Sequence, residues 1–163
     1  MKINHTLLHG LALSIIASVY IIITFMIKPR IWLQDYPQDI QDMIPPKDDQ
    51  EKRLSLILGF PFLLLLFCVP LVSTILLKNH NPDFSYFSLA FNAFGVAFAF
   101  NLVDWLVLDW LMFCTITPGF VVLPGSEGAA AYKDYWFHFR GFLIGTFLSL
   151  IAGFAIGGIA LLL

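Results

Sequence analysis

The sequence predicts an all-α, polytopic membrane protein, a bundle of four transmembrane helices that forms a single domain over residues 1–163. Hydrophobic residues make up 59% of the chain and charged residues only 12%, and the mean hydropathy is +0.83. Four apolar runs are each long enough to cross a hydrocarbon core of ~30 Å at ~1.5 Å of rise per residue. The polar segments between them are too short to form a soluble domain.

The first apolar run, residues 6–27, follows Lys2, and a signal peptide begins in the same way. The run is longer than the apolar region of a signal peptide and no small-residue cleavage site follows it, so we expect a retained spanning helix. The second run, residues 54–77, contains Pro61 and Pro70. Each proline removes a backbone donor, so this helix is predicted to bend, and its freed carbonyl groups need partners from other residues.

The third run, residues 86–116, is too long for a single helix to lie wholly within the hydrocarbon core, so one end must protrude, tilt or break. The fourth run, residues 141–163, is apolar up to its last residue. The predicted connections are residues 28–53, 78–85 and 117–140.

The fourth run carries small residues at four-residue steps, which places them on one face of a helix. They are Gly141, Gly145, Ser149, Gly153 and Gly157. Small residues let another helix approach closely inside a membrane, so this face is predicted to pack against a helix. That helix belongs either to the same chain or to a second copy, and the second case predicts a homo-oligomer formed through the fourth helix.

Basic residues set the expected orientation in the membrane. Connections 28–53 and 117–140 carry most of the Lys and Arg residues, whereas the other side has only Lys2 and Lys78. The positive-inside rule therefore places both connections in the cytoplasm and both termini outside, in what we expect to be a bacterial cytoplasmic membrane. The lipid bilayer is the main expected partner. The formal net charge of -2 provides no basic stripe, so a nucleic-acid partner is not expected.

The third run contains the candidate site residues, within the stretch NLVDWLVLDW. At about 100° per residue, Asn101, Asp104, Trp105 and Asp109 share one broad helix face. A carboxylate inside a membrane is costly unless it faces the protein interior, so the two aspartates are candidates for a proton carrier, an acid–base group or a cation ligand. The alternative interpretation places both acids at the headgroup level, among tryptophans that act as interfacial anchors.

Topology places connection 117–140 on the same membrane face as the carboxyl-terminal half of the third run. His138, at the start of the fourth run, is predicted to meet Asp104 or Asp109 as a proton-transfer pair. Glu127, in the same connection, is a further ligand-binding candidate. These residues show no metal-ligand spacing such as H-x-x-x-H or paired cysteines, so neither a metal nor another cofactor is predicted.

Three functions are compatible with these patterns. The leading hypothesis is a protein that binds or transports a small solute, ion or lipid-like ligand through the intramembrane Asn/Asp site. An alternative is a membrane-embedded enzyme that uses the aspartates and His138 for acid–base chemistry on a lipid or isoprenoid substrate. A third is an accessory subunit of a membrane complex. The chain contains no phosphate-binding loop, nucleophile elbow or redox C-x-x-C motif.

Overall fold

A computed structural model describes residues 3–163, and within that range the chain is helical, with no strand. Four helices are long and apolar enough to cross a membrane, which confirms the predicted all-α four-helix class. The elements are α1 (Ile3–Ile27), α2 (Gln38–Met43), α3 (Asp49–His80), α4 (Tyr86–Val103), a π-helix (Asp104–Ile116) that continues α4, and α5 (Tyr135–Leu162), with 3₁₀-helices at Pro29–Asp35 and Ala130–Lys133. Lys2, which enters the orientation prediction, lies outside the described residues.

Two helices begin earlier than their apolar runs because polar residues cap them. Helix α3 starts at Asp49, five residues before the predicted start. Asp48 and Glu51 form a reciprocal capping box, in which the Glu51 backbone N–H donates to Asp48 Oδ1 at 2.7 Å and the Asp48 N–H donates to Glu51 Oε2 at 3.3 Å. Helix α5 starts at Tyr135, where the side chain of Asp134 accepts from a backbone N–H of the first turn. These caps extend both spanning helices beyond their apolar segments.

Helix α3 continues through Pro61 and Pro70. The carbonyl oxygen of Leu58, three residues before Pro61, accepts a hydrogen bond from the Tyr20 hydroxyl at 2.7 Å. The carbonyl that Pro61 deprives of its helical donor is that of Ile57, four residues earlier. The Tyr20 bond satisfies the carbonyl next to it, in the turn that the proline disturbs.

Helix α4 lies at the centre of the bundle and contacts α1, α3 and α5. The backbones approach closely at glycines. A Cβ atom added to Gly157 would lie 2.8 Å from the Cα of Ala90, and one added to Gly153 would lie 2.9 Å from the Ala90 carbonyl oxygen. On the α1 side, a Cβ at Gly10 would lie 2.7 Å from the Cβ of Ala99. Close backbone packing of this kind is a main source of helix association in lipid, where no hydrophobic effect drives helices together.

The small-residue face of α5 is thus largely covered by α4 of the same chain. Gly153 and Gly157 face Ala90, and Gly145 faces the side chain of Asn101, whereas nothing lies within 4 Å of a Cβ added to Gly141. A homo-oligomer through α5 stays a prediction, and such a contact would have to use surfaces other than those three glycines.

A buried polar network joins α1, α3 and α4 in the half of the bundle that contains the turn between α3 and α4. The Thr6 hydroxyl donates to Asn92 Oδ1 at 2.7 Å, and Asn92 Nδ2 donates to Thr74 Oγ1 at 3.0 Å and to Ser73 Oγ at 3.3 Å. Asn92, Ser73 and Thr74 are fully buried. His5 Nε2 extends the network to the Ser73 carbonyl oxygen at 2.9 Å. Each polar group therefore has a partner where water is absent.

The other end of the bundle, here called the loop face, is covered by segments 28–48 and 117–134. Tyr36 joins the two segments: its hydroxyl donates to the Val121 carbonyl oxygen at 2.7 Å, and its ring packs edge-on against Phe113 with centroids 5.1 Å apart. Arg30 holds the first segment to the start of α3 through two hydrogen bonds to Glu51, at 2.8 and 2.9 Å. Both connections therefore meet at one end of the bundle, and the first covers it.

We expect Gly157→Ala to destabilise the fold by ~1–3 kcal/mol, because overpacking forces close-packed helices apart. The added methyl group would lie 2.8 Å from the backbone of Ala90. The measurement is the free energy of unfolding in mixed micelles, titrated with a denaturing detergent. Gly158→Ala is the matched control, since the nearest atom to its added Cβ, on Tyr86, is 4.0 Å away. Equal stabilities for the two variants would contradict the close α4–α5 contact.

Candidate functional site

A cavity of about 740 Å³ lies beneath the loop face, among α1, α3, the end of α4 with its π-helix, and α5. Its volume falls within the ~300–1,000 Å³ typical of small-molecule sites. Most of its wall is apolar and aromatic. The apolar and aromatic lining residues are Ile21, Phe25, Trp32, Phe62, Leu66, Phe100, Trp105, Leu108, Met112, Phe113, Phe137, Phe142, Ile144 and Leu148.

The cavity extends to the outer surface of α5. Ile144 and Leu148 of α5 line the cavity, yet their side chains are 62% and 57% exposed on the apolar outer surface. Across from them, α3 contributes the half-buried Phe62 and Leu66. Exposed residues therefore line the cavity in two places, apolar ones on α5 and the polar Asp35 and Arg140 at the loop face.

The polar part of the wall is carried by the π-helix. Its backbone hydrogen bonds join residues that are five apart in the chain, as in the bond from the Thr117 N–H to the Met112 carbonyl oxygen at 2.8 Å. In this geometry residues five apart come close together, so Trp105 and Trp110 pack with ring centroids 4.7 Å apart. Asp104 and Asp109 have the same spacing, and both line the cavity. The repeated Asp-Trp pair in the sequence has the same five-residue spacing as the hydrogen bonds of a π-helix, whereas an α-helix was predicted here.

Asp109 pairs with His138, as the topology predicts. His138 Nδ1 lies 3.0 Å from Asp109 Oδ1, and His138 is 5% exposed. In a neutral imidazole this contact assigns the proton to Nδ1, which donates to the carboxylate, and leaves Nε2 as an acceptor. Among the described residues, Nε2 is buried and has no hydrogen-bond partner. The pair thus presents an oriented, unoccupied acceptor at the cavity wall.

Asn101 and Trp105 occupy the same wall. Asn101 Nδ2 donates to the Phe142 carbonyl oxygen at 3.1 Å and to Thr146 Oγ1 at 3.0 Å, and the absence of a side chain at Gly145 makes room for it. The indole of Trp105 stacks on Phe142 with centroids 4.4 Å apart, and its Nε1 is buried without a partner within the described part of the chain. The predicted candidates Asn101, Asp104, Trp105, Asp109 and His138 therefore all line one cavity.

The loop face adds two residues that the sequence analysis did not place in the site. Asp35, at the end of the first 3₁₀-helix, and Arg140, in the second turn of α5, both line the cavity. Asp35 opens onto the cavity, but the surrounding protein atoms desolvate its carboxyl and raise its pKa to about 6, while Lys47 and Gln34 act in the opposite direction.

Glu127 lies outside the cavity wall. Its Oε2 accepts a hydrogen bond from the backbone N–H of Gly125 at 2.9 Å, so the carboxylate is used within its own turn. Among the described residues, no three His, Cys, Asp or Glu side chains converge in a way that could hold a metal ion.

Asp35 gives the stability of the protein a pH dependence with a defined sign. Because its folded pKa of about 6 exceeds the ordinary 3.8, the folded chain holds this proton to higher pH than the unfolded chain does. The free energy of unfolding therefore falls as pH rises through that interval. We expect Asp35→Asn to gain stability relative to the wild type between about pH 4 and pH 6, with a constant difference above. Thermal unfolding across this range measures the difference.

The control for this experiment is Asp39→Asn, which removes an exposed carboxylate from α2, outside the cavity. A difference between Asp35→Asn and wild type that does not change with pH would contradict the desolvation of Asp35.

The orientation of His138 can be read by NMR of its ring nitrogens. We expect the neutral ring to carry its proton on Nδ1 in the wild type, because the Asp109 carboxylate accepts from it. Asp109→Asn removes the charge of the acceptor and should populate the Nε2-protonated form. The exposed His80, which interacts with the Leu76 carbonyl oxygen, supplies an internal control that should not change. Identical His138 spectra in both proteins would contradict the pairing.

Comparison with known proteins found no matching protein-family model, no matching curated protein and no matching solved structure.

Proposed function

We propose that this integral membrane protein binds an amphipathic, lipid-like molecule in the cavity. The apolar part of the ligand would lie against the aromatic wall, and its polar end would meet Asp104, Asp109 and His138. The observation that carries this proposal is the combination of a large apolar cavity, exposed apolar lining residues on α5 and one polar cluster at the loop-face end. Such a cavity favours a ligand that enters from the bilayer and is oriented by a few polar groups.

Binding is favoured over passage through a single copy of the chain. The half of the bundle beyond the cavity is closely packed: Leu89, Val96 and Asn92 are fully buried, and the Asn92 network fills the space between helices there. A route across the membrane would have to break this network. Transport of the ligand therefore requires either a second copy or a rearrangement of the helices.

The enzymatic alternative rests on the same site. A histidine oriented by a carboxylate through Nδ1, with Nε2 free at a cavity wall, is the arrangement of a general base. His138 and Asp109 have this geometry at 3.0 Å. Acid–base chemistry on a bound lipid or isoprenoid is therefore the second candidate function. The accessory-subunit hypothesis has less support, because most of the glycine face it would use is covered by α4.

We propose that the loop face lies in the cytoplasm of a bacterial cell and both termini outside. Among the described residues, the opposite end of the bundle carries Lys78, which donates to the carbonyl oxygens of Ala160 and Leu161 at the end of α5. The loop face carries the excess of basic residues that the positive-inside rule associates with the cytoplasm. These residues are Lys28, Arg30, Lys47, Lys52, Arg53, Lys133 and Arg140.

Ligand binding is tested by quenching of tryptophan fluorescence with ω-bromododecanol, a single-chain amphiphile with a bromine at the tail. The protein is held in phosphatidylcholine nanodiscs. Trp32 and Trp105 line the cavity, and Trp136→Phe removes an indole that is 61% exposed on the outer surface. We expect saturable quenching, and we expect Gly141→Leu to weaken it by about tenfold because the new side chain fills part of the cavity.

The matched control is Gly59→Leu. Both glycines have no atom within 4 Å of an added Cβ, so both substitutions fit the fold, but only Gly141 lines the cavity. Quenching that never saturates, or that both substitutions change equally, would show partition into the bilayer and not binding in the cavity.

A further inference from the structure

The acidic and basic side chains of the cavity wall are unequal in number. Three carboxylates, those of Asp35, Asp104 and Asp109, line the cavity, and the guanidinium of Arg140 is the basic group among the described lining residues. Lys47 acts on Asp35 from outside the lining, where its ammonium contacts the Gln34 side chain and Ser55 Oγ. The wall therefore has more acidic side chains than basic ones.

Two of the polar groups in this wall lack a partner that a ligand could supply. His138 is more than nine-tenths buried and its Nε2 accepts no hydrogen bond from any described residue. Trp105 Nε1, on the same wall, is also buried without a partner among the described residues. The half-buried Asp104 lies beside them in the cavity lining. His138 Nε2 and the carboxylate of Asp104 are acceptors, whereas the indole N–H of Trp105 is a donor, so the wall offers a hydrogen-bond donor of the ligand two acceptors.

The rest of the wall is suited to a positive charge. Trp105, stacked on Phe142, and the rings of Phe100, Phe113 and Trp32 surround the cavity. Aromatic faces attract ammonium groups, and the attraction strengthens when the cation is desolvated. A carboxylate or phosphate end would instead be repelled by each of these acids that is ionised, because like charges in a medium of low polarity are costly.

We propose that the polar end of the ligand is an ammonium group, so that the protein binds single-chain aliphatic amines. The ammonium would donate to His138 Nε2 and to the Asp104 carboxylate, and the alkyl chain would extend towards the exposed Ile144 and Leu148 of α5. This inference rests on the proposed function, since it names the class of ligand for the same cavity.

The test compares three amphiphiles with the same ω-brominated dodecyl tail and different ends: an amine, an alcohol and a carboxylate. Quenching is measured near neutral pH in phosphatidylcholine nanodiscs on the Trp136→Phe background, with each affinity expressed per mole fraction of ligand in the bilayer. We expect the amine to bind about tenfold more tightly than the alcohol, and the carboxylate to bind most weakly.

Asp104→Asn tests the role of the charge. The substitution preserves the shape of the side chain, and we expect it to weaken binding of the amine far more than binding of the alcohol, so that most of the preference for the amine is lost. Retained binding of the alcohol shows that the variant is folded. Asp39→Asn, which removes an exposed carboxylate outside the cavity, should preserve the preference.

The outcomes separate the two proposals. Saturable binding of all three ligands with equal affinity, or a preference for the alcohol or the carboxylate, would overturn the amine inference and leave the lipid-binding proposal standing. An amine preference that Asp104→Asn does not reduce would also overturn it. Failure of all three ligands to quench saturably would overturn both proposals.

Discussion

The close contact between α4 and α5 determines where a cavity can form in this bundle. At Gly153 and Gly157 the two helices touch backbone to backbone, with no room for a methyl group at either position. Nearer the loop face the spacing is set by Asn101, whose side chain lies against Gly145. Beyond Asn101 the helix continues as a π-helix with a wider turn. The two helices are thus in close contact at one end of the bundle and further apart at the other, and the cavity lies where they are further apart.

The two ends of the bundle also differ in whether their buried polar groups have hydrogen-bond partners. Around Asn92 every group of the network has a protein partner, as a structure without water nearby requires. In the cavity, His138 Nε2 and Trp105 Nε1 are equally buried and have none within the described chain. An unsatisfied polar group costs ~1–3 kcal/mol, so two of them on the wall of one cavity do not serve stability. The contrast favours function at the cavity and structure at Asn92.

Much of the fold follows from the apolar runs, because lipid requires long helices and the length of each run defines one. The candidate residues Asn101, Asp104 and Asp109 could also be predicted, since a costly polar side chain in an apolar helix must face protein. His138 followed from topology, which places the start of the fourth run beside the end of the third. The π-helix was missed because the α-helical period was applied throughout, although the five-residue repeat of Asp-Trp was visible in the sequence.

Residues outside the helices were harder to predict because tertiary contacts position them. Asp35 reaches the cavity only because the next residue, Tyr36, is fully buried and donates to the carbonyl oxygen of Val121, 85 residues further along the chain. No local pattern encodes such a contact. Glu127 shows the opposite case: as an acidic residue it was a candidate for the site, but its carboxylate accepts a hydrogen bond from the N–H of the nearby Gly125. The first connection therefore belongs to the site as well as to the fold, since the segment that closes the loop face also delivers the third carboxylate to the cavity wall.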